Sequence, residues 1–571
     1  MPRGGHESLI GRIAVSKSYV SGPSLKPLLG DTIGQRFDQV VAELPDALAL
    51  VVRQQGVRLS WRELAARVDA FAAGLLTLGL KPGDRVGIWS PNNAEWVITQ
   101  LATAKAGLIL VTINPAYRLA ELEYALNKVE CAALVTATSF KSSDYAGMLA
   151  TLLPELVGAT PGALAAASVP SLRSIVQIGD LTLPGAFAFA AIEARADADA
   201  MANLAALQDV LQCDDAINIQ FTSGTTGQPK GATLTHHNIL NNGYFIGETM
   251  AYTQADSVCI PVPLYHCFGM VIGVMACLTH GSAMVFPGEG FDPLATLEAV
   301  AAERCTSLYG VPTMFIAQLD HPDFATFDVT SLRTGVMAGS NCPIELMKRC
   351  IAAMNLRDMT ICYGMTETSP VSFQTTLDDP LERRVSTVGR VHPHMEAKVV
   401  DAEGRMLPSG QPGELCTRGY AVMLGYWADE ARTQGAIDAA GWMHTGDLAT
   451  IDAEGYCAIV GRIKDMVIRG GENIYPREVE EFLYRHPAIA DVQVFGVPDE
   501  KFGEELCAWV KLRAEAELSA EDLRAFCRDQ IAHYKIPRHV RFVAEFPMTV
   551  TGKMQKFLMR EAMEKELKGG L

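Results

Sequence analysis

Helix-like and strand-like patterns alternate along the N-terminal part of the chain, and this alternation limits the possible folds more than any other sequence feature. Helix-like segments at residues 61–78, 94–106 and 119–129 alternate with strand-like segments at 85–89, 108–113 and 132–136. Ser60 is placed to cap the first helix, and Gly79 and Pro82 to end it. Strands and helices alternating at this pace predict βαβ units and a mainly parallel, buried sheet.

The rest of the chain shows different sequence patterns. The whole chain has 571 residues, which are too many for one hydrophobic core. Residues 147–211 are rich in alanine and contain one further strand-like segment, at 174–178. Beyond Gln374, short alternating segments at 396–401 and 413–417 indicate antiparallel architecture. We therefore expect an α/β fold: a large N-terminal domain, residues 1–461, of βαβ-type sheets plus a small barrel-like part. It is hinged to a small α+β C-terminal domain, residues 462–571.

Charge and cysteine usage restrict the partners and the compartment. The chain carries 65 acidic and 48 basic residues, a net charge of −17, which argues against nucleic acid as a partner. The 13 cysteines lack the paired spacing of a zinc site or a disulfide framework, so a reduced cytoplasm is expected. Cys267 and Cys362 lie beside motifs but lack the charged setting of a reactive thiol, and are interpreted as small hydrophobes.

Two segments bear on targeting and membranes. Residues 1–20 are basic and contain serine, but their lack of a long apolar core excludes a secretory signal and leaves an organellar transit peptide open. Residues 269–287 form the most apolar window, yet they include His280 and several glycines. A buried helix followed by a strand explains this window, so no transmembrane segment is predicted.

A glycine- and hydroxyl-rich segment predicts a phosphate site. Residues 222–230 are Thr-Ser-Gly-Thr-Thr-Gly-Gln-Pro-Lys, followed by Gly231. Hydroxyls and unobstructed backbone N–H groups at this spacing can converge on a polyphosphate, with Lys230 at the rim. The Walker spacing fails because Lys230 is followed by glycine, which argues against a kinase-type or GTPase-type site. Taken alone, a polar surface turn remains the alternative.

Seven further motifs follow in order, and together with the loop they resemble the adenylate-forming superfamily of acyl-CoA synthetases, carrier-loading adenylation domains and luciferases. They are Pro263-Leu-Tyr-His-Cys-Phe-Gly269, Tyr363-Gly-Met-Thr-Glu-Thr368, Gly413-Glu-Leu415 with Arg418-Gly419, Trp442-Met-His-Thr-Gly-Asp447, Gly461-Arg-Ile-Lys-Asp465, Arg469-Gly-Gly-Glu-Asn-Ile474 and Thr551-Gly-Lys553.

The resemblance implies that ATP activates a carboxylic acid as an acyl-adenylate, which then reacts with coenzyme A. The implied catalytic residues are Lys553, Glu367, Thr366 and His266, with Glu367 also holding Mg²⁺. The implied ATP- and AMP-binding residues are Thr222, Ser223, Gly224, Thr225, Thr226, Gly227, Lys230, Gly339, Ser340, Tyr363, Gly364, Asp447 and Arg462. A helix cap at Glu367 and structural salt bridges at Asp447 and Arg462 are the alternatives.

The resemblance also assigns the second step and the acid pocket. Lys464 matches a hinge about which the small domain turns, bringing Gly470 and Gly471 to the pantetheine arm of coenzyme A. The implied acyl-pocket residues are Phe268, Gly310 and Met365. Gly364 replaces the tryptophan of acetate-using relatives and is interpreted as leaving the pocket open, which favours a longer acid.

A medium-chain or branched fatty acid is the expected substrate, with an aryl acid second, because residues 368–373 resemble the medium-chain branch. A carrier-loading enzyme, a luciferase-like monooxygenase and an inactive nucleotide-binding regulator remain alternatives. Glu367, Asp447, Arg462 and Lys553 together argue against the regulator. The sequence is compatible with a homodimer.

Overall fold

The computed structural model describes residues 16–222, 228–340, 342–528, 530–549 and 554–569. The described residues form two large, mainly parallel sheets, an antiparallel five-stranded sheet and a separate C-terminal sheet. This arrangement confirms the expected α/β class, with a large N-terminal part of mixed sheets and a smaller C-terminal part.

The eight-stranded sheet is parallel except at one edge, where a hairpin and a short strand are added antiparallel. In spatial order its strands are Phe187–Ala188, Ser174–Gln177, Ala133–Thr136, Arg85–Trp89, Ile109–Thr112, Ala216–Thr222, Lys230–Thr235 and Gly425–Tyr426.

The nine-stranded sheet has a parallel centre and antiparallel edges. In spatial order its strands are Arg390–Val391, Val371–Gln374, Asp358–Gly364, Thr334–Met337, Ser307–Gly310, Ser257–Cys259, Ala283–Phe286, Leu48–Val52 and Val57–Ser60.

The remaining sheets are smaller. The five-stranded sheet consists of Tyr19–Ser21, Met395–Val400, Gly413–Gly419, Met443–Ile451 and Cys457–Arg462, all antiparallel as expected beyond Gln374. The C-terminal sheet consists of Glu472–Ile474, Val467–Arg469, Gly503–Leu512, Ile489–Asp499 and His539–Phe542. Ser139–Phe140 and Ser143–Asp144 form a small hairpin.

Helices cover the sheets. They are Ile33–Glu43, Trp61–Leu76, Ala94–Lys105, Leu119–Lys128, Tyr145–Leu152, Phe189–Glu193, Ala198–Leu207, His236–Thr249, Ala276–His280, Pro293–Ala302, Pro312–Leu319, Ile344–Ala353, Leu381–Ser386, Glu430–Ala436, Pro476–Leu483, Ala520–Cys527 and Lys556–Gly569. A π-helix, Phe268–Met275, precedes Ala276–His280.

Local chemistry explains why the predicted elements formed. The Ser60 hydroxyl accepts from the Glu63 backbone N–H, and Glu63 binds back to the cap, which fixes the start of Trp61–Leu76. The apolar window at 269–287 is a buried helical segment followed by the strand Ala283–Phe286, as predicted. No helix within the described residues is both long and apolar enough to cross a membrane.

The change from one sheet to the next lies near the predicted domain boundary. Cys457–Arg462 is the last strand of the five-stranded sheet, and Val467–Arg469 belongs to the C-terminal sheet. The short turn Ile463–Asp465 joins them. The division at residues 461 and 462 stays a prediction, because sheet membership alone does not show independent movement.

Candidate active site

The predicted phosphate segment connects the two strands of the edge hairpin in the eight-stranded sheet. Thr222 and Lys230 lie opposite each other at the end of that hairpin. Ser223, Gly224, Thr225, Thr226 and Gly227 lie between them, outside the described residues. Since Ala216–Thr222 runs parallel to its inner neighbour, the segment follows the carboxyl end of a parallel strand, where ligands bind in open α/β sheets.

Glu367 joins the two large sheets at this point. It lies in the tight turn Thr366–Thr368, which follows the strand Asp358–Gly364 of the nine-stranded sheet, and only 4% of the residue is exposed. Its Oε1 accepts from the Thr222 hydroxyl at 3.3 Å and from the Tyr426 hydroxyl at 2.8 Å. The carboxylate is therefore fixed by the predicted phosphate segment and by a residue that sequence reasoning missed.

Tyr426 also contacts Lys230. The Lys230 ammonium donates to the Tyr426 hydroxyl at 2.8 Å and lies 4.2 Å from the centre of its ring. Burial, together with the adjacent Glu367 carboxylate, raises the pKa of the Tyr426 phenol, so the phenol keeps its proton. The Gly425-Tyr426-Trp427 run shortly after Arg418-Gly419 was the available sequence signal.

Thr366, His266 and Phe268 come together beside this carboxylate through Cys267. The Thr366 hydroxyl lies 3.8 Å from the Cys267 sulfur, and the His266 Nδ1 accepts from the Phe268 backbone N–H at 3.2 Å. Phe268 is buried and stacks on Tyr309 with ring centres 5.9 Å apart. The buried Cys267 sulfur thus lies between the His266 ring and the Thr366 hydroxyl.

A second group of predicted residues forms around Asp447. The Tyr363 hydroxyl donates to Asp447 Oδ2 at 2.6 Å, and Arg462 Nε lies 3.2 Å from Oδ1. Asp447 and Arg462 are directly paired across neighbouring strands. Burial raises the pKa of the Asp447 carboxyl, although the Arg462 guanidinium and the Tyr363 hydroxyl act in the opposite direction. The arrangement leaves a buried acceptor next to an aromatic face.

Hydrogen bonds to the neighbouring strand position this aspartate. The Thr445 hydroxyl donates to the Leu415 carbonyl at 2.7 Å and accepts from the Asp447 backbone N–H at 3.1 Å. Glu414 lies 2.9 Å from His444 Nδ1. The motifs at 413–415 and 442–447 therefore act together, because the strand Gly413–Gly419 orients the start of the neighbouring strand Met443–Ile451, on which Asp447 lies.

Gly364 lies very close to the backbone of Pro370. A Cβ on Gly364 would lie well inside van der Waals contact of the Pro370 carbonyl oxygen, which already accepts from the Met365 backbone N–H at 3.0 Å. The glycine permits this close backbone approach, and the interpretation that it also leaves the acid pocket open stays a prediction. A tryptophan here would displace the Pro370 backbone before it closed any cavity.

Two other predicted wall positions, Gly339 and Gly310, are glycines where neighbouring side chains leave little room for a Cβ. Gly339 has a left-handed φ of +89°, and its Cβ would lie 3.0 Å from Val311 Cγ1. A Cβ on Gly310 would lie 2.9 Å from the ring of Phe315. Ser340 is exposed beside Gly339, and Met365 is partly buried. Their roles as adenine wall and acyl pocket stay predictions.

The predicted C-terminal residues divide between described and undescribed segments. Gly470 and Gly471 form the turn of a hairpin, with left-handed φ values of +59° and +90°. The Gly470 N–H donates to the Phe502 carbonyl at 2.8 Å, within the C-terminal sheet. Lys464 is exposed in the turn Ile463–Asp465. Lys553 lies outside the described residues.

Comparisons with known proteins give matches in both the N-terminal and the C-terminal part of the chain. Residues 37–427 match a family described as AMP-binding enzyme, and residues 478–553 match the AMP-binding enzyme C-terminal domain. The medium-chain acyl-CoA ligase ACSF2, mitochondrial, of Danio rerio is 49% identical over 97% of this chain and 92% of its own length.

Two further matches cover almost the whole chain. The putative acyl-CoA synthetase YngI of Bacillus subtilis (strain 168) is 48% identical over 94% of this chain and 97% of its own. The crystal structure of the anthranilate CoA ligase AuaEII in complex with anthranoyl-AMP superimposes with a TM-score of 0.84, at 26% identity, covering 96% of this chain and 99% of that one.

Proposed function

Since this chain belongs to the AMP-binding enzyme family, we propose that it is an ATP-dependent ligase that joins a medium-chain fatty acid to coenzyme A. The observation that carries the proposal is that Thr222 and Lys230 of the phosphate segment meet Glu367 of the Tyr363–Thr368 motif, directly or through Tyr426, where two sheets meet. The acid class is supported by the near-full-length similarity to the medium-chain acyl-CoA ligase of Danio rerio.

In the first half-reaction, a carboxylate oxygen attacks the α-phosphorus of ATP, and the bond to the bridging oxygen breaks to release pyrophosphate. Thr366 is proposed to donate to the α-phosphate, and Lys553 to bridge this phosphate and the acid. Lys230 and the undescribed segment 223–227 would bind the remaining phosphates. Hydrogen-bond donors and cations placed where negative charge develops in the transition state lower the activation barrier of this step.

Glu367 fits the role of a magnesium ligand. Its carboxylate and the adjacent Thr222 hydroxyl are hard oxygen donors, which Mg²⁺ prefers over nitrogen and sulfur. When bound with the nucleotide, Mg²⁺ would neutralise charge on the phosphate oxygens.

Asp447, Tyr363 and Arg462 are proposed to seat the nucleoside. A carboxylate has two acceptor oxygens and no donor, so Asp447 can accept from both ribose hydroxyls. The Tyr363 ring would form one adenine wall and the Gly339-Ser340 backbone the other. Arg462 would reach the ribose or phosphate from its present contact with Asp447.

The pKa of Asp447 predicts how ATP use depends on pH. Because burial raises this pKa above the ordinary value of 3.8, ribose binding should weaken as pH falls through a higher value than an exposed aspartate would show. In Asp447→Asn the KM for ATP should rise about tenfold, with the acid limb of kcat/KM lost. Asp438→Asn should keep that limb, because the Asp438 carboxylate accepts only from backbone N–H groups of its own turn in these hydrogen bonds. Steady-state kinetics across pH compare the three proteins.

In the second half-reaction, the thiol of coenzyme A loses its proton and attacks the acyl carbon, and AMP leaves. We propose that residues 462–571 turn about Lys464 to exchange Lys553 for the hairpin at Gly470 and Gly471. The glycines would let the pantetheine arm pass close to the backbone.

Replacing Gly471 with leucine is expected to stall the enzyme after adenylate formation. A Cβ at this position meets nothing within 4 Å, so the side chain would project into open space along the proposed thiol path. Thioester formation should fall about a hundredfold while pyrophosphate release in a single turnover persists. Gly410→Leu is a matched control, because Gly410 has a similar φ of +81° and an equally open Cβ position. Equal losses in both variants would point to backbone strain instead.

The acid pocket is proposed to lie around Phe268, Gly310 and Met365, with His266 as its gate. An aryl acid is the second candidate, supported by the overall similarity to the anthranilate CoA ligase. The relative at 49% identity favours the fatty acid.

Pyrophosphate release from ATP and Mg²⁺, measured across acids from acetate to palmitate plus benzoate, tests the proposal. Release should peak at medium chain length and become sustained only with coenzyme A. A peak at benzoate would favour the aryl acid, and no release with any acid would overturn the ligase proposal.

Location and assembly stay proposals. We propose a cytoplasmic enzyme, whereas the relative from Danio rerio is named as mitochondrial. Cell fractionation with the intact N-terminus decides between cytoplasm and organelle, and light scattering tests for a homodimer.

A further inference from the structure

Tyr426 lies between two side chains of opposite charge at the proposed nucleotide site. Its hydroxyl accepts from the Lys230 ammonium at 2.8 Å and donates to Glu367 Oε1 at 2.8 Å. Within the described structure, Lys230 and Glu367 form no direct ion pair. One neutral hydroxyl therefore separates the cation of the phosphate segment from the proposed magnesium carboxylate.

The backbone around Tyr426 is fixed independently of this contact. Tyr426 pairs with Ala232 across the edge of the eight-stranded sheet, and the next residue, Trp427, donates its N–H to the Gly231 carbonyl at 2.7 Å. The Tyr426 N–H donates to the Thr433 hydroxyl at 2.9 Å. The fold thus sets the position of the ring, which is only 5% exposed as a residue, before any nucleotide binds.

Opposite charges this close would otherwise attract each other directly. A lysine is a compact charge on a flexible stem, and in a partly buried site its attraction to a carboxylate is weakly screened. Such an ion pair would neutralise the carboxylate that a divalent cation needs and occupy the ammonium that the phosphates need. Both groups would then have to separate before Mg²⁺ and ATP could bind.

We propose that Tyr426 is a positioning residue that keeps Lys230 from pairing with Glu367, so that the carboxylate stays available to a divalent cation and the ammonium to the phosphates. This inference rests on the proposed function, since it gives Glu367 and Lys230 their partners there. The hydroxyl satisfies both groups with single hydrogen bonds, which ligands can replace at low cost.

The test measures divalent-cation binding in the absence of turnover. Free Mn²⁺ is titrated by EPR against the protein alone, without nucleotide or acid, so that the proposed role of Lys230 in phosphate binding does not affect the result. Tyr426→Phe should weaken Mn²⁺ binding about tenfold, because the ammonium can now reach the carboxylate. Adding Lys230→Gln to Tyr426→Phe should restore Mn²⁺ affinity, since no ammonium remains to occupy Glu367.

Matched controls separate this effect from a general loss of packing. Tyr420→Phe removes another hydroxyl of the same chain segment, one that accepts from Asn242, and should leave Mn²⁺ binding unchanged. If Tyr426→Phe does not fold, Tyr426→Met fills the space of the ring without a hydroxyl and permits the same comparison.

Two results would overturn the inference: unchanged Mn²⁺ affinity in folded Tyr426→Phe, or no recovery in the double variant with Lys230→Gln. Neither depends on turnover of an acid. Wild-type protein that binds Mn²⁺ but releases no pyrophosphate from ATP with any acid would instead count against the proposed function alone.

Discussion

Lys553→Ala is expected to lower acyl-adenylate formation roughly a hundred- to a thousandfold while sparing the second half-reaction. The lysine is proposed to contact the carboxylate and the α-phosphate together, so its charge matters most when these two anions meet. In the proposed second orientation it has been displaced from the site. Thioester formation from supplied acyl-adenylate and coenzyme A should therefore proceed at the wild-type rate.

The measurement follows pyrophosphate release and thioester formation separately, each in a single turnover. Lys511→Ala is the control, because Lys511 is an exposed lysine at the end of the strand Gly503–Leu512 in the same C-terminal part. Equal loss of both half-reactions in a protein that unfolds like wild type would show that the two-orientation mechanism is wrong.

Glu367→Gln is expected to reduce the rate of adenylation by at least about a hundredfold, mainly because the enzyme binds magnesium less well. Glutamine keeps the shape and an acceptor oxygen, so the hydrogen bonds from Thr222 and Tyr426 can persist. The negative charge that a hard cation requires is lost. A higher magnesium requirement should accompany the fall in rate, while thermal stability changes little.

The control for this variant is Glu396→Gln. Glu396 is also a glutamate that accepts from a tyrosine hydroxyl, that of Tyr19 at 2.5 Å, but it lies in the five-stranded sheet. Its replacement should leave the magnesium dependence as in the wild type. A Glu367→Gln enzyme with unchanged magnesium dependence would remove Glu367 from the metal site.

Local patterns predicted the fold well where each element carries its own information. The strand Arg85–Trp89 has the predicted bounds, and the helix after Ser60 begins at the predicted residue, because the apolar period and the cap are encoded within a few positions. The same helix ends at Leu76 and not at the predicted residue 78, since nothing in the sequence stops the apolar pattern sharply there.

Contacts between distant segments were beyond the sequence patterns. Tyr426 lies on a two-residue strand, too short for any periodicity, and meets Lys230 at a separation of 196 positions. The close approach of the Pro370 carbonyl to Gly364 was not predicted, because it depends on a turn geometry that composition does not reveal. The motifs predicted which residues converge, and the sheets show how Thr222, Glu367 and Asp447 are held.

Asp447 and Arg462 form a cross-strand pair, and Arg462 is the residue immediately before the turn Ile463–Asp465. If residues 462–571 turn there, Asp447 stays with the five-stranded sheet, and so does the nucleoside it is proposed to hold. The reactive acyl-adenylate would then stay bound through its adenosine while the C-terminal part turns from the first orientation to the second. Because the acyl-adenylate would stay bound until the thioester forms, little of this hydrolysable intermediate would escape into water.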